Sequence, residues 1–303
     1  MDACTGWEPV VSRVTIMFMP IARELWLRIE TIHAVTYFAA ESTEASTRAG
    51  LDGFWAGYFG FRAAPLGAVG AGAVEASFFN FAPSFVQRWV PNVWSSATPD
   101  TLVAARSQSA VAALARVVPD VAAAAAVRAN PLLQNVVDTA IAAGRPLFAA
   151  NRLLPLPDEP VARLWQLCTS LREHRGDGLV AALTAAGLDG LEANVLIALE
   201  QGNSPTDLQR TRGWTADDWT AADARLTHRG LCDAGGLTVA GRALRSDVEA
   251  TTDRLAVTPF EATAGDFGAQ IIELLELLDP VARAISASGV IRYPNPMGLP
   301  ALT

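Results

Sequence analysis

Arg229-Gly230-Leu231-Cys232-Asp233-Ala234-Gly235-Gly236-Leu237-Thr238-Val239-Ala240-Gly241-Arg242 is the stretch on which the fold turns. Its Asp-Ala-Gly-Gly centre reverses the chain readily, because aspartate and glycine accept backbone angles that other side chains resist. The residues on either side, Leu231-Cys232 and Leu237-Thr238, are short enough for two brief strands. Upstream, Thr215 is placed as the N-cap of a helix running to Arg229, since its hydroxyl can accept from the first free backbone amides. Pro205 to Arg212 and Leu191 to Gln201 read as two further helices, and a long helix follows Arg242. The order is three helices, two short strands and a helix.

That order is the one found in winged helix-turn-helix modules. The stretch resembles the multiple-antibiotic-resistance (MarR-like) regulators, whose chains run from an Arg-Gly-Leu motif through the wing into Leu-Thr-x-x-Gly-Arg. The resemblance implies a DNA-binding module. The residues themselves weigh against it. A recognition helix needs donors to phosphates and base edges near its start, whereas Trp214, Asp217, Asp218, Trp219 and Asp223 stand there. The wing tip, Asp233 to Gly236, carries no Arg or Lys for a minor groove. Arg210, Arg212, Arg225, His228 and Arg229 remain for an operator. The favoured reading is a winged-helix-like module retained as a structural or dimerisation element, with DNA disfavoured as partner.

Further similarity runs nearly the whole length. The runs Gly53-Phe54-Trp55-Ala56-Gly57-Tyr58-Phe59, Arg62-Ala63-Ala64-Pro65-Leu66-Gly67, Phe79-Asn80-Phe81-Ala82-Pro83 and Arg172-Glu173-His174-Arg175-Gly176-Asp177-Gly178 carry it, with His33, Tyr37-Phe38 and the tail Asn295 to Pro300. The chain resembles an actinobacterial family labelled helix-turn-helix proteins, a resemblance that brings no settled activity. The family pattern has a histidine directly after Gly-Asp-Gly, where this chain has Leu179, and a proline where it has Ala40. If that histidine is catalytic in relatives, the site here is altered.

Composition narrows the classes. A chain of 303 residues suffices for two domains of ordinary size. No apolar run approaches the roughly 18 residues that span a bilayer, and Arg23-Glu24 follow Val14 to Ala22 where a signal cleavage site would need small residues. No membrane association and a cytoplasmic location are expected. Met17 and Met19 are alternative starts, with an unstructured extension ahead of them. Cys4, Cys168 and Cys232 form no CxxC pair, so neither a disulfide framework nor a thiolate zinc site is indicated. With 31 acidic against 23 basic side chains the net charge is −8, which repels polyanions.

Along the chain, Ile21, Leu25, Ile29 and Ile32 recur at helical spacing between Val14 and Phe38. Residues 50–85 read as two helices joined at Pro65-Leu66-Gly67, a helix opens at Pro99-Asp100, and an alanine-rich helix ends before Pro131. The fold class is mainly α. Residues 1–188 form a helical, aromatic-rich domain, 189–256 the winged-helix-like module with a short two-stranded wing, and 257–303 a C-terminal helix and proline-rich tail packing back on the first domain.

The densest polar cluster, Arg172 to Gly178, reads as a glycine-bracketed turn between helices. Such a turn can present His174 as general acid or base, Asp177 or Glu173 as its orienting partner and Arg175 as an anion clamp. The alternative is ordinary capping and ion pairing, with Asp177 as a cap. His33, Tyr37 and Glu41 share one face if the first helix continues, and His33 is equally an ordinary core histidine. Trp55, Tyr58, Phe59, Phe61, Phe78, Phe79 and Phe81 can wall an apolar cavity, with Arg62 and Asn80 orienting its occupant, or simply form core. No HExxH, nucleotide-loop or nucleophile-elbow pattern is present, so neither metal nor cofactor is expected. Two function classes stay open. The first is a binder of a small organic molecule of secondary metabolism, extending to an enzyme that uses acid/base chemistry without a redox cofactor. The second is a ligand-responsive MarR-like transcriptional regulator, expected to be a homodimer with a basic face.

Overall fold

The computed structural model describes residues 13–261, 266–295 and 297–302. Residues 1–12 of the expected N-terminal extension lie outside these. Met17 and Met19 already belong to the first helix, α1 (Arg13–Phe38).

Three cores hold the chain together. In the first, Leu25, Ile29 and Ile32 of α1 meet Leu133 of α8 (Pro119–Thr139), Trp165 of α10 (Pro160–Ala185) and Leu274 of α15 (Phe267–Ala287). Each such side chain, withdrawn from water, contributes about 1.5–3 kcal/mol before ordering costs. The second core is aromatic. Phe59 of α3 (Gly53–Ala63), Phe78 of α4 (Ala71–Phe78), Phe81, and Phe85 of α5 (Pro83–Trp89) pack with Leu102 of α7 (Pro99–Val117). Between them lie α2 (Ala40–Arg48), a 3-10 turn at Ala64–Leu66 and α6 (Val93–Ser96); α9 (Pro146–Arg152) precedes α10.

The third core belongs to the segment read first. α11 (Gly190–Gln201), α12 (Pro205–Arg212) and α13 (Ala216–His228) are followed by the antiparallel pair β1 (Cys232–Asp233) and β2 (Gly236–Leu237), in which Cys232 faces Leu237. Leu191, Leu196, Leu226 and Leu237 fill its centre with Val248 of α14 (Val239–Glu261). Thr215 accepts from the Asp218 amide at 3.1 Å, and the Asp218 carboxylate returns the bond to the Thr215 amide at 3.0 Å, a capping box. The expected element order is present, and α14 continues past residue 256 to Glu261.

Three local expectations need correction. Residues 172–178 are no turn, for they lie within the continuous α10. Gly178 is small for another reason: a Cβ there would stand 2.9 Å from the Arg145 guanidinium, which bonds the carbonyls of His174 and Leu255. Pro131 does not open a new segment but lies inside α8. Glu41 does not share the face of His33 and Tyr37, because Ala39 adopts an extended ψ of 143° that separates α1 from α2. Glu41 instead pairs with Arg116 at 2.6 Å.

Candidate functional site

Between the aromatic core and the third core lies a cavity of about 540 Å³, within the range of small-molecule sites. Its apolar wall comes from Trp26 and Tyr37 of α1, Phe54, Trp55 and Tyr58 of α3, and Phe78 and Phe79 at the end of α4. The opposite side is formed by Arg172, Arg175, Gly176, Leu179 and Leu183 of α10, by Ala193 and Ile197 of α11, and by Arg212 of α12. Arg245 and Glu249 of α14 and Met297, Gly298 and Pro300 of the tail complete it.

Helical periodicity explains which residues of the 172–178 cluster reach this space. At 100° per residue, positions 172, 175, 176, 179 and 183 share one face of α10, whereas 174, 177 and 178 point away. His174 sits on that far side with its ring edge-on to Phe148, at 4.9 Å between centroids. Burial, with Arg145 adding to it, pushes its pKa down to about 3. Asp177 accepts from the Phe148 amide at 2.9 Å, in the first turn of α9, so it caps a helix distant in sequence. Burial raises its carboxyl to about 7, although the Phe148 amide pulls the other way. No hydrogen bond joins His174 to Asp177 among the described residues, and neither lines the cavity.

Arg175 does line it, donating to Asp253 at 2.7 Å and Glu249 at 3.1 Å while its guanidinium lies 4.0 Å over the Trp26 ring. The floor of the cavity is a buried ionic network. Glu173, 1% exposed, accepts from Arg62 Nε at 3.1 Å and Nη2 at 3.2 Å, and lies 2.9 Å from Arg172 Nη1. Arg172 Nε donates to Glu30 at 3.1 Å. Burial alone would raise the Glu173 carboxyl, but Arg172 and Arg62 outweigh it and hold the group at about 2. Burial likewise opposes the charge on Arg62 and Arg172, yet Glu173 keeps both above the ordinary guanidinium value. Arg62 Nη1 also donates to the Tyr58 hydroxyl at 3.0 Å, which orients that phenol at the cavity edge.

The remaining candidate residues divide between lining and core. Tyr37, Trp55, Tyr58, Arg62, Phe79 and Asn80 line the cavity. Phe59 is fully buried, stacked on Phe78 at 5.6 Å, and supports the wall from behind. His33 is a core histidine. Its Nδ1 lies 3.0 Å from Thr169 Oγ1, its ring stacks on Trp165, and burial together with Arg172 keeps it neutral. Leu179 lines the cavity. Arg172, Glu30, Trp26 and Glu249 were not singled out from sequence, although Arg172 could have been found by projecting the cluster on a helix.

One corner of the wall is strained. Phe79 has φ of 63°, a left-handed value that costs a non-glycine residue of order 1–3 kcal/mol. It is held there by α11 and by Trp214, between α12 and α13. The Asn80 carbonyl accepts from Asn194 Nδ2 at 2.9 Å and Trp214 Nε1 at 3.1 Å, and a Cβ on Gly190 would approach the Phe79 carbonyl oxygen to 2.0 Å.

Fold and site together define a mainly helical protein with an open cavity between its N-terminal helices and a segment that ends in a two-stranded turn. The chain belongs to the helix-turn-helix family, whose model matches residues 22–292. No curated protein and no solved structure matches it. Among the described residues, no single helix is long and apolar enough to cross a membrane, and no three His, Cys, Asp or Glu side chains converge as a metal site.

Proposed function

We propose that the protein binds a small organic molecule in the cavity between α3, α10 and α11. The observation that carries this is the pairing of an aromatic wall with a buried ionic floor around an open cleft of about 540 Å³. A strained residue at the rim, Phe79, fits the same reading, since strain gathers where a ligand is held. Acid/base chemistry by His174 draws no support from its position behind α10. Titration with N-phenyl-1-naphthylamine, a neutral fluorescent apolar probe, tests the proposal. One-to-one binding that falls at least tenfold in a folded Leu179→Trp variant, whose indole fills the cavity, is expected. Equal binding by both proteins would overturn it.

A second reading, a ligand-responsive regulator of the MarR-like kind, is favoured by family membership and by the contribution of α11 and α12 to the cavity wall. The charge pattern weighs against it. Arg225 is tied to Asp189 at 2.7 Å and Glu192 at 2.9 Å, Arg229 to the Gly187 carbonyl at 2.9 Å, and Arg210 to Asp207 at 3.2 Å. Asp217 and Asp218 are exposed at the start of α13. Gel-shift assays with fragments from upstream of its own gene distinguish the two: a regulator binds one fragment with steep salt dependence, and a pure binder retains none.

A further inference from the structure

The cavity lining combines two chemistries, aromatic rings and guanidiniums, and the combination specifies more than size. Resting on the ligand-binding reading above, we infer that its ligand is an aromatic organic anion, with the ring system against Trp55 and Phe79 and an oxyanion seated on Arg172 and Arg175.

The sign of the charge is the first argument. The chain carries a net −8, yet the described residues lining the cavity include Arg23, Arg62, Arg172, Arg175, Arg212 and Arg245 against Glu30 and Glu249. A cleft whose local charge opposes that of the whole chain concentrates ligands of the complementary sign, and low-dielectric walls strengthen the effect. Glu30 and Glu249 occupy the other edges of Arg172 and Arg175, through contacts of 3.1 Å each. They pre-orient both guanidiniums without saturating them. Glu173 on Arg62 and Arg172, Asp253 on Arg23 and Arg175, and Glu200 on Arg245 offset most of this cluster from behind, so the lining keeps a modest cationic excess that favours an anionic head group over a cationic one.

The second argument is donor accounting. Each guanidinium offers five N–H groups and accepts none. Arg172 spends Nε on Glu30 and Nη1 on its contact with Glu173, and Arg175 spends Nη2 on Glu249 and Asp253, so Arg172 Nη2 and Arg175 Nη1 have no acceptor among the described residues. Arg172 and Arg175 stand three residues apart on one face of α10, so one oxyanion between them can accept from both, in the forked geometry that guanidinium and carboxylate or phosphate share.

Ring chemistry is the third. Phe54 is 51% exposed, beside Trp55 at 5.0 Å between centroids in an edge-to-face arrangement, and Tyr58 and Phe78 continue the surface. Such an array offers both faces and edges to a flat ring, the two arrangements that aromatic pairs prefer. An aliphatic chain would use neither.

Competition against N-phenyl-1-naphthylamine on the full chain tests the inference, with 2-naphthoate, 2-naphthyl phosphate and the neutral isostere 2-naphthamide. At least tenfold tighter binding of one anion than of the amide is expected, and which anion wins identifies the head group. Arg175→Gln, checked for fold by circular dichroism, should erase the anion's advantage, read as the anion-to-amide affinity ratio on the variant itself falling to near one. If that variant fails to fold, the anion-to-amide ratio on the wild-type protein decides alone. Equal affinity for amide and both anions, with N-phenyl-1-naphthylamine still bound, overturns the anion inference and leaves the binder reading standing. Failure of the neutral probe itself to bind overturns both.

Discussion

Replacing Glu173 by Gln tests whether the ionic floor holds the two halves of the cavity together. The substitution keeps the shape of the side chain and removes its charge, leaving Arg62 without its carboxylate and Arg172 with Glu30 alone. Breaking a buried pair by deleting one partner costs about 3–5 kcal/mol. Glu30 remains, so the lower end applies. The acidity of the group gives an independent figure. Holding the carboxyl at about 2, against an ordinary 4.5, corresponds to roughly 3 kcal/mol in favour of the charged form at neutral pH, at 1.36 kcal/mol per unit. The two routes agree. Urea unfolding followed by tryptophan fluorescence at pH 7 should show Glu173→Gln about 3 kcal/mol less stable than wild type. Because the folded-state pKa is depressed, this contribution is complete above about 4.5 and is lost as pH falls toward 2. The gap between the two proteins should therefore close in acid. An Arg62→Met/Glu173→Met pair, which removes both charges, should cost less than the sum of its single variants. A Glu173→Gln protein within 1 kcal/mol of wild type at pH 7, or a gap that persists in acid, would refute the reasoning.

Other expectations follow from the same contacts. Asp177, raised to about 7 by burial, contributes stability that is complete below about 3.8 and lost as pH rises through 7. Asp177→Asn should therefore match wild type near pH 4 and exceed it by roughly 3–4 kcal/mol at pH 8.5, in urea midpoints taken at both values. His174→Ala should lower stability by about 2–3 kcal/mol through lost packing on Phe148, while N-phenyl-1-naphthylamine affinity stays within twofold, since the ring lies behind α10. Gly190→Ala drives a methyl group into the Phe79 carbonyl; a loss of about 1–3 kcal/mol in thermal unfolding is expected, accompanied by weaker probe binding as the strained corner shifts.

The helices of the C-terminal third were legible because their boundaries are chemical. Thr215 with Asp218, Ser204 before Pro205 and Asp189 with Glu192 are local caps that need no tertiary contact. The 172–178 run was misread for the opposite reason. Gly176 and Gly178 look like turn residues, but the cause of the smallness of Gly178 is Arg145, 33 positions upstream and invisible to any local rule. With the run taken as helix, periodicity alone would have sent Arg172 and Arg175 one way and His174 and Asp177 the other. The aromatic wall was recognisable by composition, yet nothing in its spacing separates Tyr58, which lines the cavity, from Phe59, which packs behind it. Pairs such as Arg62 with Glu173, joined across 111 positions, are set by how helices pack and carry no sequence signal.

The partners of α1 have a consequence for biosynthesis. Its apolar stripe of Leu25, Ile29 and Ile32 is covered in large part by α15, which begins only at Phe267. At about 5–20 residues per second, the ribosome takes roughly 10–45 s to bridge the interval between the two helices. Throughout that time the first helix is a sticky, unfinished surface. The first helix can therefore reach its final packing only once α15 has been made.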